Sequence, residues 1–234
     1  MKILAIESAS ITASCAVSEN DVVLGEYSLG HKKTHSEKLM PLIEKLLVDT
    51  EIEIKDIELI VISEGPGSYT GLRIGAAIAK SIAYATNVPI ANVPTMKSLA
   101  SNIYSIDKYI VPIMDAKSGR VYSGIYRWDN YNLITVKEQF PTNIDELIDI
   151  LNNISYPVIL SGDGSEKYRN LFIEKLKNEY TFSPKQFNFL RASSLACLGY
   201  NMALGGETID SSGFYPKYLR LSQAERNKNE VIPN

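Results

Sequence analysis

Residues 64–75 read EGPGSYTGLRIG, and the reading of this loop decides the fold. Ahead of it, IELIVISE (57–64) is a short apolar run with β-branched residues and predicts a buried strand. Behind it, LRIGAAIAKSIAYAT (72–86) predicts a helix. A strand, a loop of Gly, Pro, Ser and Thr, and then a helix can offer unpaired backbone N–H groups to an anion. The spacing matches neither common phosphate pattern. A Walker loop needs Gly-Lys-Ser/Thr, and Gly71 is followed by Leu72 and Arg73. The dinucleotide pattern Gly-x-Gly-x-x-Gly starts at Gly65 and Gly67 and ends on Thr70. If a phosphate binds at all, Ser68, Thr70 and Arg73 are the loop's candidates for it.

The helix behind the loop carries a second message. Gly71, Gly75, Ala79 and Ala83 recur every four residues, and Ala76 widens the strip. Two glycines inside a helix cost about 2 kcal/mol relative to alanine. That cost is sensible where another backbone approaches closely. The approaching element is either the chain's own neighbour or a second chain, and the strip does not say which. A companion helix is expected at THSEKLMPLIEKLLVD (34–49), with Leu39, Leu42, Ile43, Leu46 and Leu47 on one face. Thr34 and Glu37 have capping-box spacing at its start, and Pro41 should bend or delay its first turns.

Outward from this pair, the element order repeats. KILAIE, TASCAVSE and VVLGEYSL predict three strands before the first helix, and PIANV and TMKSLASNIY a strand and a helix after the second. YIVPIMDA, RVYSGIYRW and LITVKEQF start the order again, followed by the helix NIDELIDILNN, the strand PVILSGDG and the helix YRNLFIEKLKNEY. Each opening strand ends near an acid, Glu7 and Asp115. Two related α/β lobes are therefore expected, residues 1–106 and 107–234, joined near 104–108. The polar tail AERNKNEVIPN is expected to be loosely ordered.

A net charge of −3 excludes a strong basic field, so RNA would need phosphate contacts from elsewhere. No run approaches 18 uninterrupted apolar residues, so a cytoplasmic protein with no membrane span is expected. Cys15 and Cys197 lie far apart in apolar surroundings and read as free thiols. His31 and His35 are the only histidines. Lys32, Lys33 and Thr34 stand between them, so the glutamate of an H-E-x-x-H metal helix is missing and no metal site is expected. Glu7 and Ser8 in one turn, and Lys117 and Arg120 in the matching turn of the second half, are the remaining phosphate candidates. Asp163 in SGDGS marks a further turn of that kind. No nucleophile–base pair can be assembled from these residues.

ILAIESAS, HSEKLMPLIEKLL, GPGSYTGLRIGAAIAKSIA, PTMKSLA, MDAKSGRVYSGIY and YPKYLR together resemble the TsaB (YeaZ) family, over essentially the whole chain. The resemblance implies a duplicated actin-like ATPase fold (ASKHA, Hsp70/RNase H-like), each lobe running strand-strand-strand-helix-strand-helix. It implies a non-catalytic subunit that pairs with TsaD, and with the small ATPase TsaE, in threonylcarbamoylation of the adenosine beside the tRNA anticodon. A homodimer is implied for the chain alone, and contact with tRNA only through the complex. No intrinsic cofactor is implied, with ATP or ADP entering at low affinity or at the interface of the complex. TsaD carries an H-x-x-x-H, and the corresponding NVPTMKSLASN contains no histidine. The implied docking surface is the two helices, here His35, Leu39, Leu42, Ile43, Leu46, Gly71, Leu72, Ile74, Gly75, Ile78 and Ala79. On that reading Gly75→Leu should break association and leave the lobes folded. Glu7 departs from the family's usual aspartate. The alternatives are an autonomous ATP-using kinase or ATPase with Glu7 and Asp115 at the phosphates, and a glycoprotease-like peptidase.

Overall fold

In the computed structural model of the chain, residues 1–30 and 35–219 are described. His31, the Thr34 cap, the polar tail and the side chains of His35 and Glu37 lie outside that description.

Alternating apolar and small residues in Lys2–Glu7 and Ala13–Glu19 form antiparallel strands β1 and β2, paired Lys2↔Glu19 through Glu7↔Ser14. Asn20, in the left-handed region at φ 55°, turns the chain into β3 (Val22–Leu29). α1 (His35–Asp49) crosses to β4 (Leu59–Gly65), which pairs parallel with β1. Pro41 lies inside α1 on its exposed face. α2 (Tyr69–Thr86) follows, capped by Ser68, whose hydroxyl accepts from the Gly71 N–H at 3.3 Å. Asn87 closes α2 with φ 56°, and β5 (Ile90–Pro94) and α3 (Thr95–Ala100) complete the half. The sheet order is β3-β2-β1-β4-β5.

The second half repeats this plan. β6 (Tyr109–Asp115), β7 (Arg120–Asp129) and β8 (Asn132–Asn143) form a meander, α4 (Ile144–Asn152) crosses, and β9 (Val158–Ser161) pairs parallel with β6. α5 (Asp163–Lys167), α6 (Arg169–Lys175) and β10 (Tyr180–Phe182) follow. The order is β8-β7-β6-β9-β10, the first sheet's plan over again. The expected helix over 168–180 is instead one short helix, α6, followed by extended chain into an edge strand. Leu176 ends α6 in extended backbone, and Tyr180 pairs with Val158.

All strands of the first sheet precede residue 106, and those of the second follow residue 107. The chain then returns. α7 (Ala192–Leu204), which the sequence reading missed, packs Ala192, Leu195 and Ala196 on Ile3, Ala5, Val61 and Val93 of the first sheet. Its weak amphipathic pattern explains the miss, because apolar residues occur all round it. The opposite face of that sheet carries α1 and α2 over Leu4, Ile6, Ile60 and Ile62. The second sheet buries Val111, Ile113 and Leu160 against α4 and against Phe172 of α6.

Candidate functional site

Two features meet at the glycine loop, and a third lies farther along α2. The first is the turn after β1. Glu7 is fully buried and both carboxylate oxygens are engaged within the chain: Oε1 accepts from the Ala9 N–H at 2.7 Å, and Oε2 from the Ser63 hydroxyl. Burial without a cation raises its pKa to about 7, against smaller lowering by those hydrogen bonds. Ser8 donates its hydroxyl to the Gly71 carbonyl at 2.9 Å, and the Ser68 N–H donates to the Ala9 carbonyl at 2.7 Å. A Cβ added at Gly71 would collide with the Ser8 carbonyl, one at Gly75 with the Ser8 hydroxyl, and one at Gly67 with the Ala9 carbonyl.

The approaching backbone that the small-residue strip implied is therefore this chain's own β1 turn. Gly71 and Gly75 lie against it, and Ala79 and Ala83 are buried in the core beneath α2. Gly75→Leu would therefore strike Ser8 of this chain and disturb its own packing, contrary to the expectation that it would break association alone, because Gly75 is an internal contact. The glycines of α2 lie directly over the β1 turn, so Glu7 and Ser8 are covered by this chain's own backbone. Ser68, Thr70 and Arg73 are exposed at the start of α2, while Glu7 and Ser8 lie beneath. Lys117 and Arg120 are exposed on the other lobe, and no described hydrogen bond or ion pair joins them to the first group.

The second feature is the junction between the lobes. Ala9 and Leu72 meet Met96, Leu99, Met114 and Tyr126 in one buried apolar cluster. Beside it Glu64, only 3% exposed, accepts from Lys217 Nζ at 2.9 Å and Asn92 Nδ2 at 2.8 Å. Gln139 of β8 donates to the Gly65 carbonyl at 2.8 Å and accepts from the Met96 N–H at 3.2 Å, tying the second sheet to the first lobe. Lys217 and Gln139 are distant in sequence from Glu64 and carry no local signal of this role.

The third feature is the outer face of α1 and α2. Of the residues expected to dock a partner, Leu39, Ile43, Leu46, Gly71, Leu72, Gly75 and Ala79 are buried within this chain. Leu42, Ile74 and Ile78 keep partial exposure. What faces solvent is an apolar groove of about 420 Å³ bounded by Met40, Ile54, Ala77, Ile78, Ser81 and Ala85. The corresponding sequence signal was a second four-residue repeat, Ala77, Ser81 and Ala85, on the other side of the helix from the glycines. Among the described residues no group of three or more His, Cys, Asp or Glu side chains is placed to hold a metal. No described helix is long and apolar enough to cross a membrane. Cys15 and Cys197 are free, and burial pushes the Cys15 thiol up to about 12.

Two sheets of identical strand order, each opened by a three-strand meander, define a duplicated α/β protein of the actin-like ATPase fold. Component A of (R)-2-hydroxyglutaryl-CoA dehydratase from Acidaminococcus fermentans shares that fold at TM-score 0.51 and 11% identity, covering 87% of this chain and 99% of its own. YeaZ from Pseudomonas aeruginosa superposes with TM-score 0.79 at 19% identity, over 93% of this chain and 99% of its own. The family model described as "TsaD: tRNA N6-adenosine threonylcarbamoyltransferase" matches residues 24–228. The Bacillus subtilis "tRNA threonylcarbamoyladenosine biosynthesis protein TsaB" is 34% identical over 96% of each chain, and its Escherichia coli namesake 25% over 96% of each. The chain belongs to the TsaB family, within the wider group that the TsaD model describes.

Proposed function

We propose that this chain acts in the biosynthesis of threonylcarbamoyladenosine in tRNA, as a non-catalytic subunit that docks TsaD through the outer face of α1 and α2. The observation that carries the proposal is the pairing of an open apolar groove with a closed β1 turn. The groove presents Met40, Ala77, Ile78 and Ala85 to solvent, side chains that a partner helix could cover. The turn leaves Glu7 buried and hydrogen-bonded at both oxygens, which removes it from metal–phosphate chemistry. TsaE and tRNA join through the assembled complex, and the same groove serves a homodimer when TsaD is absent.

Size-exclusion chromatography with light scattering, on this chain alone and mixed with TsaD from the same organism, tests the reading. A homodimer that exchanges for a heterodimer is expected. Ala77→Glu, which sets a charge in the groove without touching the core, should reduce heterodimer affinity at least tenfold, as a desolvated unpaired charge in an interface does. Two independent peaks for the wild-type mixture would overturn the assignment. ATP turnover by the pure chain, lost in Glu7→Ala, would replace it with an autonomous ATP-using enzyme.

A further inference from the structure

After α7 the chain forms a strap that runs along α2. Ile209 bridges Ile90 with N–H···O distances of 2.8 and 2.9 Å. Phe214 is buried in the first core, and its carbonyl accepts from Lys80 Nζ at 3.1 Å. Lys80 also lies 4.5 Å from the centre of the Tyr215 ring, which is 73% exposed. Lys217 forms the Glu64 ion pair, and the Tyr218 ring sits 4.9 Å from the ring of Tyr69. Arg73, one turn along α2, donates to the Tyr69 hydroxyl at 2.7 Å and stands 5.2 Å from that ring.

The strap and the outer ridge of α2 thus share one surface built of tyrosines and cations. Its composition is one-sided. No carboxylate occurs in α2 or in residues 211–219. Asp210, the exposed acid that precedes the strap in sequence, is turned onto the N–H groups of Ser212 and Gly213, both at 2.8 Å. Glu64, the strap's ion-pair partner, is buried. Exposed tyrosine and arginine are the side chains that anchor protein interfaces, and their phenol and guanidinium groups match carboxylates.

We infer that the strap extends the docking face and that this extension takes a carboxylate-bearing surface of a second, different protein. The inference rests on the docking reading above and adds the chemistry that chooses the partner. Two copies pairing α2 against α2 would bring arginine and lysine together with no acid on either helix. A partner with carboxylates at that place gains complementarity and a faster encounter. The strap therefore favours the heterotypic pairing over the homotypic one, and salt shifts the balance between them.

The test measures affinity for TsaD, by titration of the full chain, at low and at high salt. The variants are Arg73→Glu and Tyr215→Ser, both on exposed side chains, with Ala77→Glu as the groove control. Arg73→Glu is expected to weaken the heterodimer about tenfold at low salt and much less at high salt, where exposed charges are screened. Tyr215→Ser should weaken it severalfold at both. Homodimer affinity should be unchanged or tighter in Arg73→Glu. A loss with Ala77→Glu but none with the other two overturns the strap inference alone, whereas no loss with any of the three overturns the docking reading as well. A loss with Arg73→Glu that is equal at both salts overturns the charge assignment. Unchanged TsaD affinity, with tRNA released from the complex by Arg73→Glu, would give the surface to nucleic acid and overturn the inference.

Discussion

The two lobes place an acid-bearing turn at the same point of the same topology, and the turns differ in almost every physical respect. After β1, Glu7, Ser8 and Ala9 are buried, and the backbone of α2 lies against them. After β6, Lys117, Ser118 and Arg120 are exposed, and Lys117, Ser118 and Gly119 all adopt positive φ, at 63°, 55° and 73°. Asp115 there is held by Lys167 Nζ at 2.7 Å, the Lys117 N–H at 3.1 Å and the Tyr168 hydroxyl at 3.0 Å. Partial burial would raise its pKa, but these partners together hold it below the usual carboxylate range. Glu7, with no cation beside it, moves the other way. The difference originates in the helix that follows each lobe's fourth strand. Gly71 and Gly75 of α2 lie against Ser8 in the turn itself, while in α5 Gly164 lies against Ile113 of β6, short of the turn, and Asp163 accepts from the Asp115 N–H at 3.0 Å. A shared topology fixes where a turn falls, and the point at which the following helix meets the opening strand decides whether the turn is covered.

The largest break in this comparison is expected from adding side chains at its glycines. Gly71→Leu forces the Ser8 carbonyl away and should cost about 3 kcal/mol or more. Gly119→Ala meets open space and should cost only about 1 kcal/mol, for the left-handed backbone. Thermal melts should show the first falling by roughly 6–12 °C and the second by about 2–4 °C. Equal losses at the two sites would mean that α2 does not close on the turn as described.

A smaller effect should separate the carboxylates by pH. The folded pKa of Glu7, about 7, lies above its unfolded value, so the folded state binds the proton more tightly between the two. Its contribution is fully present below about pH 4.5 and is lost as pH rises through 7, a swing of roughly 3 kcal/mol. Glu7→Gln should flatten the dependence and exceed wild type in stability at pH 8, as denaturant midpoints would record. A variant no more stable than wild type at pH 8 would mean that Glu7 stays ionised at no cost.

Asp115 has the opposite sign and the smallest expected effect. Its lowered folded pKa means that its stabilisation is present above about pH 4 and is lost on further acidification. Lys167 is 46% exposed, so a double-mutant cycle of Asp115→Asn and Lys167→Met should give a coupling below about 1 kcal/mol that shrinks in salt. Coupling above that, unmoved by salt, would indicate a turn more enclosed than its exposure suggests.

Much of this was legible in the sequence. Strands β1 to β9 carried period-two or continuous apolar patterns, and the repeat of their order foreshadowed two sheets of one plan. The strip from Gly71 to Ala83 announced a close backbone approach, because glycine in a helix is costly without one. β10, α5 and α7 went unread: a three-residue strand and a five-residue helix are too short for a period, and α7 lacks a polar face to mark its orientation. Most of the residues expected to dock a partner, among them Leu39, Ile43, Leu46, Gly71 and Gly75, turned out to pack inside this chain. Periodicity shows that a helix has a buried stripe without showing which element buries it.

The sequence by itself thus determined the element order, the internal repeat and the demand for a tight packing partner along α2, since these follow from local periodicity and from glycine's cost. Only the tertiary structure decided that the partner is the chain's own β1 turn, that Glu64 joins Lys217 across 153 residues, and that Ala77 rather than Gly75 faces solvent. Those outcomes depend on which surfaces meet after the chain returns on itself, and no local pattern encodes such a meeting.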